Sequence, residues 1–189
     1  MIRFATKEDG QAIAPLILVI LKDMELPLLA VVPEPTILAV LAEAVAEPTY
    51  RFGYKRGLVY EEQGQVAGVA FGYPNEAEPV IDEPLKQVLR NHQLDDGIQL
   101  FVDPETLENE WYLDSISVDE RFRGLGIGSK LLEALPEIAK RDGKSVIGLN
   151  VDKANSNAKK LYARKGFTDV AEIMISGHLY DHMQKKIND

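Results

Sequence analysis

Glycines recur at alternate positions in Arg123-Gly124-Leu125-Gly126-Ile127-Gly128, between a β-rich apolar stretch, Trp111 to Val118, and an amphipathic helical stretch, Leu131 to Arg141. At that spacing the backbone turns sharply with no Cβ in the way, so successive N–H groups at a helix start can face one anion. These donors are the ones a helix start leaves unpaired, and the helix dipole adds partial positive charge there. Arg123 supplies a cation whose fork suits phosphate oxygens. The run reads as a pyrophosphate cradle, set against the plainer reading of a turn that only caps a helix. Asp142-Gly143 stops the helix, and Ser145 to Val151 is a β-branched, largely apolar run. The resulting strand–helix–strand unit implies a right-handed crossover between two buried parallel strands.

Other glycine-rich loops fit less well. A nucleoside-triphosphate loop ends in Gly-Lys-Ser/Thr, whereas here the third glycine is followed by Ser129-Lys130. A dinucleotide fingerprint needs a last glycine where Ser129 stands, and only Asp152, after the second strand, keeps that option open.

A second pattern follows about one strand later: Asn155-Ser156-Asn157-Ala158-Lys159-Lys160-Leu161-Tyr162-Ala163-Arg164-Lys165-Gly166-Phe167. Asn155 is placed to cap a helix and Gly166 to end it. Ala158, Leu161 and Tyr162 share a helical face. The two patterns together resemble the GNAT superfamily of N-acetyltransferases. Arg123, Gly126 and Gly128 match that family's acyl-CoA motif, and Asn155, Ala158, Leu161, Tyr162, Gly166 and Phe167 match its second motif. The resemblance covers Trp111 to Phe167, with a weaker echo in Ile2 to Asp9.

Periodicity and turn residues give strands over 2–5, 57–62, 65–72, 110–118, 145–151, 167–175 and 179–187, and helices over 7–22, 34–46, 83–92, 126–142 and 155–165. Gly64 makes 57–62 and 65–72 a hairpin. Pro136 should kink the 126–142 helix or end it near Leu135, because an interior proline costs ~3 kcal/mol. With the resemblance, the expected fold is α/β (α+β): one domain over 1–189, a mixed, mostly antiparallel sheet of about seven strands, a parallel pair splayed at the acyl-CoA site, and helices on both faces.

At 189 residues the chain can bury a sizeable core. It has no cysteine, which removes thiolate chemistry and fits a reducing cytoplasm; a bacterial cytoplasmic enzyme is expected. The apolar stretch Ala12 to Leu21 contains Pro15, is too short for a membrane span and follows two acids, so it reads as a buried first helix and no membrane partner is expected. A formal net charge of −9 argues against nucleic acid. The acid is concentrated: ten carboxylates and two bases lie between Asn75 and Glu110. A solvated surface is the plain reading, and a field that attracts a cationic amine is the functional one.

The resemblance implies acetyl-CoA as cosubstrate, with no metal, and transfer of its acetyl group to an amine acceptor, small molecule or peptide, in a ternary complex. The alternative is a noncatalytic acyl-CoA-binding sensor or scaffold. The implied cofactor residues are Arg123, Gly124, Gly126, Gly128 and Ser129, the backbones of Ile116 and Val118, and Asn155. Tyr162 is implied as the acid that protonates the thiolate. For the base, period-two alternation puts Glu110, Tyr112 and Asp114 on one strand face; Glu110 and Asp114 are rivals, beside a water chain, and Asn150 stands where some family branches carry a glutamate. His178 and His182 read as surface or strand histidines, and the three histidines have no metal-ligand spacing. The run Met24, Leu26, Leu28, Leu29, Val31 and Val32 lies where the family shapes its acceptor cleft and serves equally well as a homodimer interface.

Overall fold

The computed structural model describes residues 1–188. Seven strands form one sheet: β1 (Ile2–Phe4), β2 (Gly57–Glu62), β3 (Gln65–Pro74), β4 (Trp111–Val118), β5 (Val146–Asp152), β6 (Thr168–Ile175) and β7 (His178–Lys186), in the order β1-β2-β3-β4-β5-β7-β6. Neighbours run antiparallel except β4 and β5. Successive side chains leave a strand on opposite sides, so the sheet feeds two cores. Val59, Val69 and Phe71 pack with α1 (Gly10–Asp23), α3 (Glu34–Ala44) and α4 (Leu85–Asn91). Leu58, Tyr60, Ala70 and Leu113 pack on the other side with α5 (Ile127–Arg141) and, at the edge, with Ala158, Leu161 and Tyr162 of α6 (Ser156–Arg164). A one-turn helix α2 (Leu28–Val31), which the periodicity does not reveal, bridges α1 and α3. Among the described residues no helix is long and apolar enough to cross a membrane.

The early end expected at Pro136 does not occur. Helix α5 runs through it to Arg141 and closes only at Asp142 and Gly143, where Gly143 N–H bonds the Lys140 carbonyl at 3.0 Å. Leu131, Leu132, Leu135, Ile138 and Ala139 are all buried on either side of the proline. Each large aliphatic side chain gains about 1.5–3 kcal/mol on burial, so their sum exceeds the cost of one missing helical bond.

The sheet opens between β4 and β5. Their parallel pairing covers only Trp111↔Ile147, Tyr112↔Gly148 and Leu113↔Leu149. Next, Asp114 is left over as a bulge residue, since Gly72 pairs with Leu113 and Phe71 with Ser115. Beyond it β4 stays with β3 as far as Val118↔Gly68, while β5 stays with β7 as far as Asp152↔Tyr180. The two strands therefore diverge into a V whose apex lies at Asp114 and Asn150.

Behind the apex the sheet is closed tightly. Any Cβ added to Gly148 would overlap the buried Glu110 carboxylate. Gly148→Ala should lower unfolding stability by about 3 kcal/mol, the upper range for overpacking, because the obstructing group is held by three hydrogen bonds and cannot swing away. Urea denaturation checks this; an unchanged midpoint would contradict the packing described.

Candidate active site

On the α5 side of the V the backbone is arranged for an anion. Gly124 and Gly126 are both left-handed, with φ of 81° and 73°, a conformation glycine adopts without Cβ strain. The first helical bond of α5 runs from Lys130 N–H to Gly126 at 3.0 Å, so the N–H groups of Ile127, Gly128 and Ser129 precede it and have no protein partner among the described residues. Arg123 is exposed beside them and joins none of the ion pairs there. A Cβ added at Gly126 would meet open space, and one at Gly128 only Val118 Cγ2 at 3.9 Å. This cradle fits a pyrophosphate: unpaired donors, a free guanidinium and room for the ligand coincide.

The cradle leads into the V along β4. Asp119 N–H bonds the Ala67 carbonyl of β3 at 2.9 Å. Strand alternation then turns the main-chain groups of Val118 and Ile116 away from β3, toward the gap that β5 has left. They are free to bind an extended amide-bearing chain.

The opposite face carries acid around one arginine. Arg51 is 3% exposed and lies in the stretch Tyr50-Arg51-Phe52, between two fully buried rings. It donates from Nε and Nη2 to both oxygens of Asp82, each at 3.0 Å. Its Nη1 meets Glu105 at 3.3 Å and also Asp114, and its guanidinium lies over the Phe101 ring, 4.0 Å from the centroid. Three carboxylates thus share one cation, and Glu78, which accepts from Glu105 N–H at 2.9 Å, stands behind them. Burial, with the Asp114 charge next, pushes the Glu105 carboxyl up to about 8, against the opposing pull of Arg51. Outside this cluster opens a cavity of about 480 Å³, lined by Glu78, Asp82 and Asp103 on one part and by Leu85, Leu89 and Leu100 on another. The three leucines continue into an apolar hollow that Leu28 and Val32 also line.

The Acetyltransferase (GNAT) family model matches residues 40–167. The chain belongs to the GNAT family. Over its whole length it is similar to a solved acetyltransferase structure, with 64% identity, full coverage of both chains and a TM-score of 0.94. The yncA structure from Salmonella typhimurium, solved with its cofactor acetyl-CoA, shares the fold at 23% identity and a TM-score of 0.59, over 100% of this chain and 94% of that one. Among curated relatives, a ribosomal protein bS18-alanine N-acetyltransferase of Haemophilus ducreyi is 36% identical over 75 residues, 40% of this chain and 52% of that protein. The chain spans about half or less of the length of the curated relatives it matches.

Within this GNAT framework the residues singled out from the sequence fall in four places. Arg123, Gly124, Gly126, Gly128, Ser129, Ile116 and Val118 line the cradle and its approach along β4. Asn155 caps α6, its Oδ1 accepting from Ala158 N–H at 3.1 Å, so only its NH₂ remains for a ligand. Tyr162 packs edge-on against Phe167, and burial raises its hydroxyl pKa, which keeps the phenol protonated. Asp114 stands at the apex but is tied to Arg51 and to the Ser115 hydroxyl, 2.8 Å away.

Glu110 directly precedes β4, behind the apex rather than in the open V. It is fully buried, accepts from Leu107 N–H and Gln184 Nε2 at 2.8 Å each, and faces His182 Nε2 at 2.9 Å. With no surface exposed and three donors around it, Glu110 serves here as a buried acceptor. His182 is likewise fully buried on β7 rather than at the surface, whereas His178 is exposed. The acidic insertion is only partly solvated: Glu105 and Glu110 are buried, whereas Glu76 pairs with Lys144, Asp96 with Arg90, and Asp103 accepts from Ser176 N–H at the surface. In the apolar run, Leu26, Leu29 and Val32 pack on the helical core, leaving Val31 outward. Sequence reasoning missed Glu105 and Arg51. A basic residue between two aromatics, upstream of an excess of acid, was the signal available for Arg51.

Gly128 offers a clean test of the cradle, because its helical backbone tolerates a side chain. Gly128→Ala should hold or raise stability, by up to about 1 kcal/mol, yet weaken acetyl-CoA binding by filling the ligand space. Calorimetric titration beside thermal melting reads both; unchanged affinity in the variant would remove the cradle assignment.

Proposed function

We propose that the protein transfers the acetyl group of acetyl-CoA to a primary amine by direct attack in a ternary complex, with Glu105 as general base. The observation that carries this reading is Glu105 itself: a carboxyl with its pKa raised into the working range, on the acidic face at the apex of the V, opposite the anion cradle. A base whose pKa is near the operating pH combines the right protonation state with driving force for proton transfer. Acetyl-CoA supplies an activated thioester. The Val118 N–H, aimed into the V, hydrogen-bonds the thioester carbonyl oxygen. Glu105 takes the proton from the acceptor ammonium, the freed amine forms the new N–C bond as the C–S bond breaks, and Tyr162 gives its hydroxyl proton to sulfur. Asp114 keeps its pairing with Arg51 and supplies the charge that holds Glu105 up.

The cavity beside this cluster supports an acceptor that joins a cationic amine to an apolar portion, since carboxylates line one part of it and leucines continue into the hollow under Leu28 and Val32. A small amine and a peptide N-terminus both meet that description. Attraction to the acidic face is screened by salt, so the acceptor KM should rise between low and physiological ionic strength while kcat changes little.

Only the ionised Glu105 carboxylate accepts a proton. Acetyl transfer to an amine panel, followed by thiol release, should therefore show kcat/KM rising with pH through about 8. Glu105→Gln should lower kcat by roughly 10²-fold or more and erase that ionisation; Tyr162→Phe should lower kcat at unchanged acetyl-CoA affinity. Wild-type turnover in Glu105→Gln would overturn the base assignment, and thiol release with no amine tried would favour a noncatalytic acyl-CoA-binding module.

A further inference from the structure

We propose that His182 is a positioning residue for the proposed base: through Asn150 it fixes the peptide unit that carries Glu105. The inference rests on the reading of Glu105 given above, and it begins from how that residue is held. Glu105 lies in the irregular segment between α4, which ends at Asn91, and β4, which starts at Trp111. No strand or helix sets its place, so side-chain anchors must. There are three: its N–H donates to Glu78 Oε2 at 2.9 Å, its carboxylate meets Arg51 at 3.3 Å, and its backbone carbonyl accepts from Asn150 Nδ2 at 2.9 Å.

Asn150 is the first residue of β5 beyond the last β4–β5 pair, so its amide spans the opening where the main-chain ladder stops. The same Nδ2 lies 3.2 Å from the Tyr112 hydroxyl. A backbone carbonyl can only accept. The amide nitrogen of Asn150 must therefore face Glu105, and its Oδ1 must face His182 Nδ1, 2.5 Å away. That oxygen also only accepts, so His182 Nδ1 carries a hydrogen. Behind it, His182 Nε2 meets Glu110, which Gln184 and Leu107 hold from the other sides. The imidazole lies nearly parallel to the Tyr112 ring, with 13° between the planes. The fully buried Glu110–His182 pair thus sets the Asn150 amide, and the amide ties down Glu105 and Tyr112 together.

Two measurements test this. In wild type, nitrogen NMR of the three histidines should show the buried ring hydrogen-bearing at Nδ1; a ring protonated at Nε2 alone would overturn the proposal. In kinetics, His182→Gln should lower kcat roughly 10- to 100-fold, the scale of a misplaced reacting group, with the KM for acetyl-CoA unchanged. It should also shift the acid limb of the pH profile. Around Glu105 the variant leaves Arg51, Asp82, Glu78, Tyr73, Tyr112, Asp114 and Tyr180 in place, so the shift reports the lost anchor. Because His182→Gln disturbs a buried pair, Asn150→Ala is measured beside it; that change cuts the link while leaving Glu110 and His182 intact, and the same split is expected. Wild-type kcat and pH profile in folded Asn150→Ala would overturn the proposal. So would full activity in Glu105→Gln, which would show instead that the base reading had failed, whatever the NMR result.

Discussion

The buried guanidinium of Arg51 is the interaction on which the acceptor face depends. It joins Asp82 of the insertion, Glu105 of the irregular segment and Asp114 of the β4 bulge, three parts of the chain with no common strand or helix. Breaking a buried ion pair by removing one partner typically costs about 3–5 kcal/mol, because the remaining charge is left unpaired. Here removal of Arg51 would strand three carboxylates. The same arrangement has an electrostatic surplus. One cation cannot neutralise three anions, and at Glu105 burial, with the Asp114 charge next, outweighs the pull of Arg51 and favours the protonated carboxyl.

The V between β4 and β5 works because its two faces are built by different means. On the α5 side, main-chain donors and one exposed arginine suit a phosphate-rich ligand. On the opposite side, buried carboxylates suit an ammonium. The bulge at Asp114 joins the two, since the extra residue ends the β4–β5 ladder and also directs a carboxylate toward Arg51. On the proposed reading, thioester and amine approach the apex from opposite faces.

The glycine turn before α5, the cap at Asn155 and the succession of strands along the chain were legible because each depends on residues close together in the chain. Glycine at a left-handed position, asparagine three residues before the amide it caps, and two-residue alternation are local signals. The acceptor face was not legible for the opposite reason. Arg51 and Asp114 are 63 residues apart, and Glu110 and His182 are 72 apart. Alternation singled out Glu110, yet spacing carries no information on burial, and Glu110 is a buried acceptor while Glu105, in a segment without periodicity, stands at the apex. Pro136 shows the same limit: a local penalty was read correctly and then outweighed by the packing of Leu131, Leu135 and Ile138.

The central claim is that burial beside Asp114 moves the Glu105 carboxyl into the range where a general base works. Carbon-detected NMR of the side-chain carboxyls across a pH titration, with the Glu105 signal assigned through Glu105→Gln, measures it directly. The account predicts a Glu105 midpoint of about 8. A Glu105 midpoint in the ordinary carboxylate range, near 4.5, would contradict it.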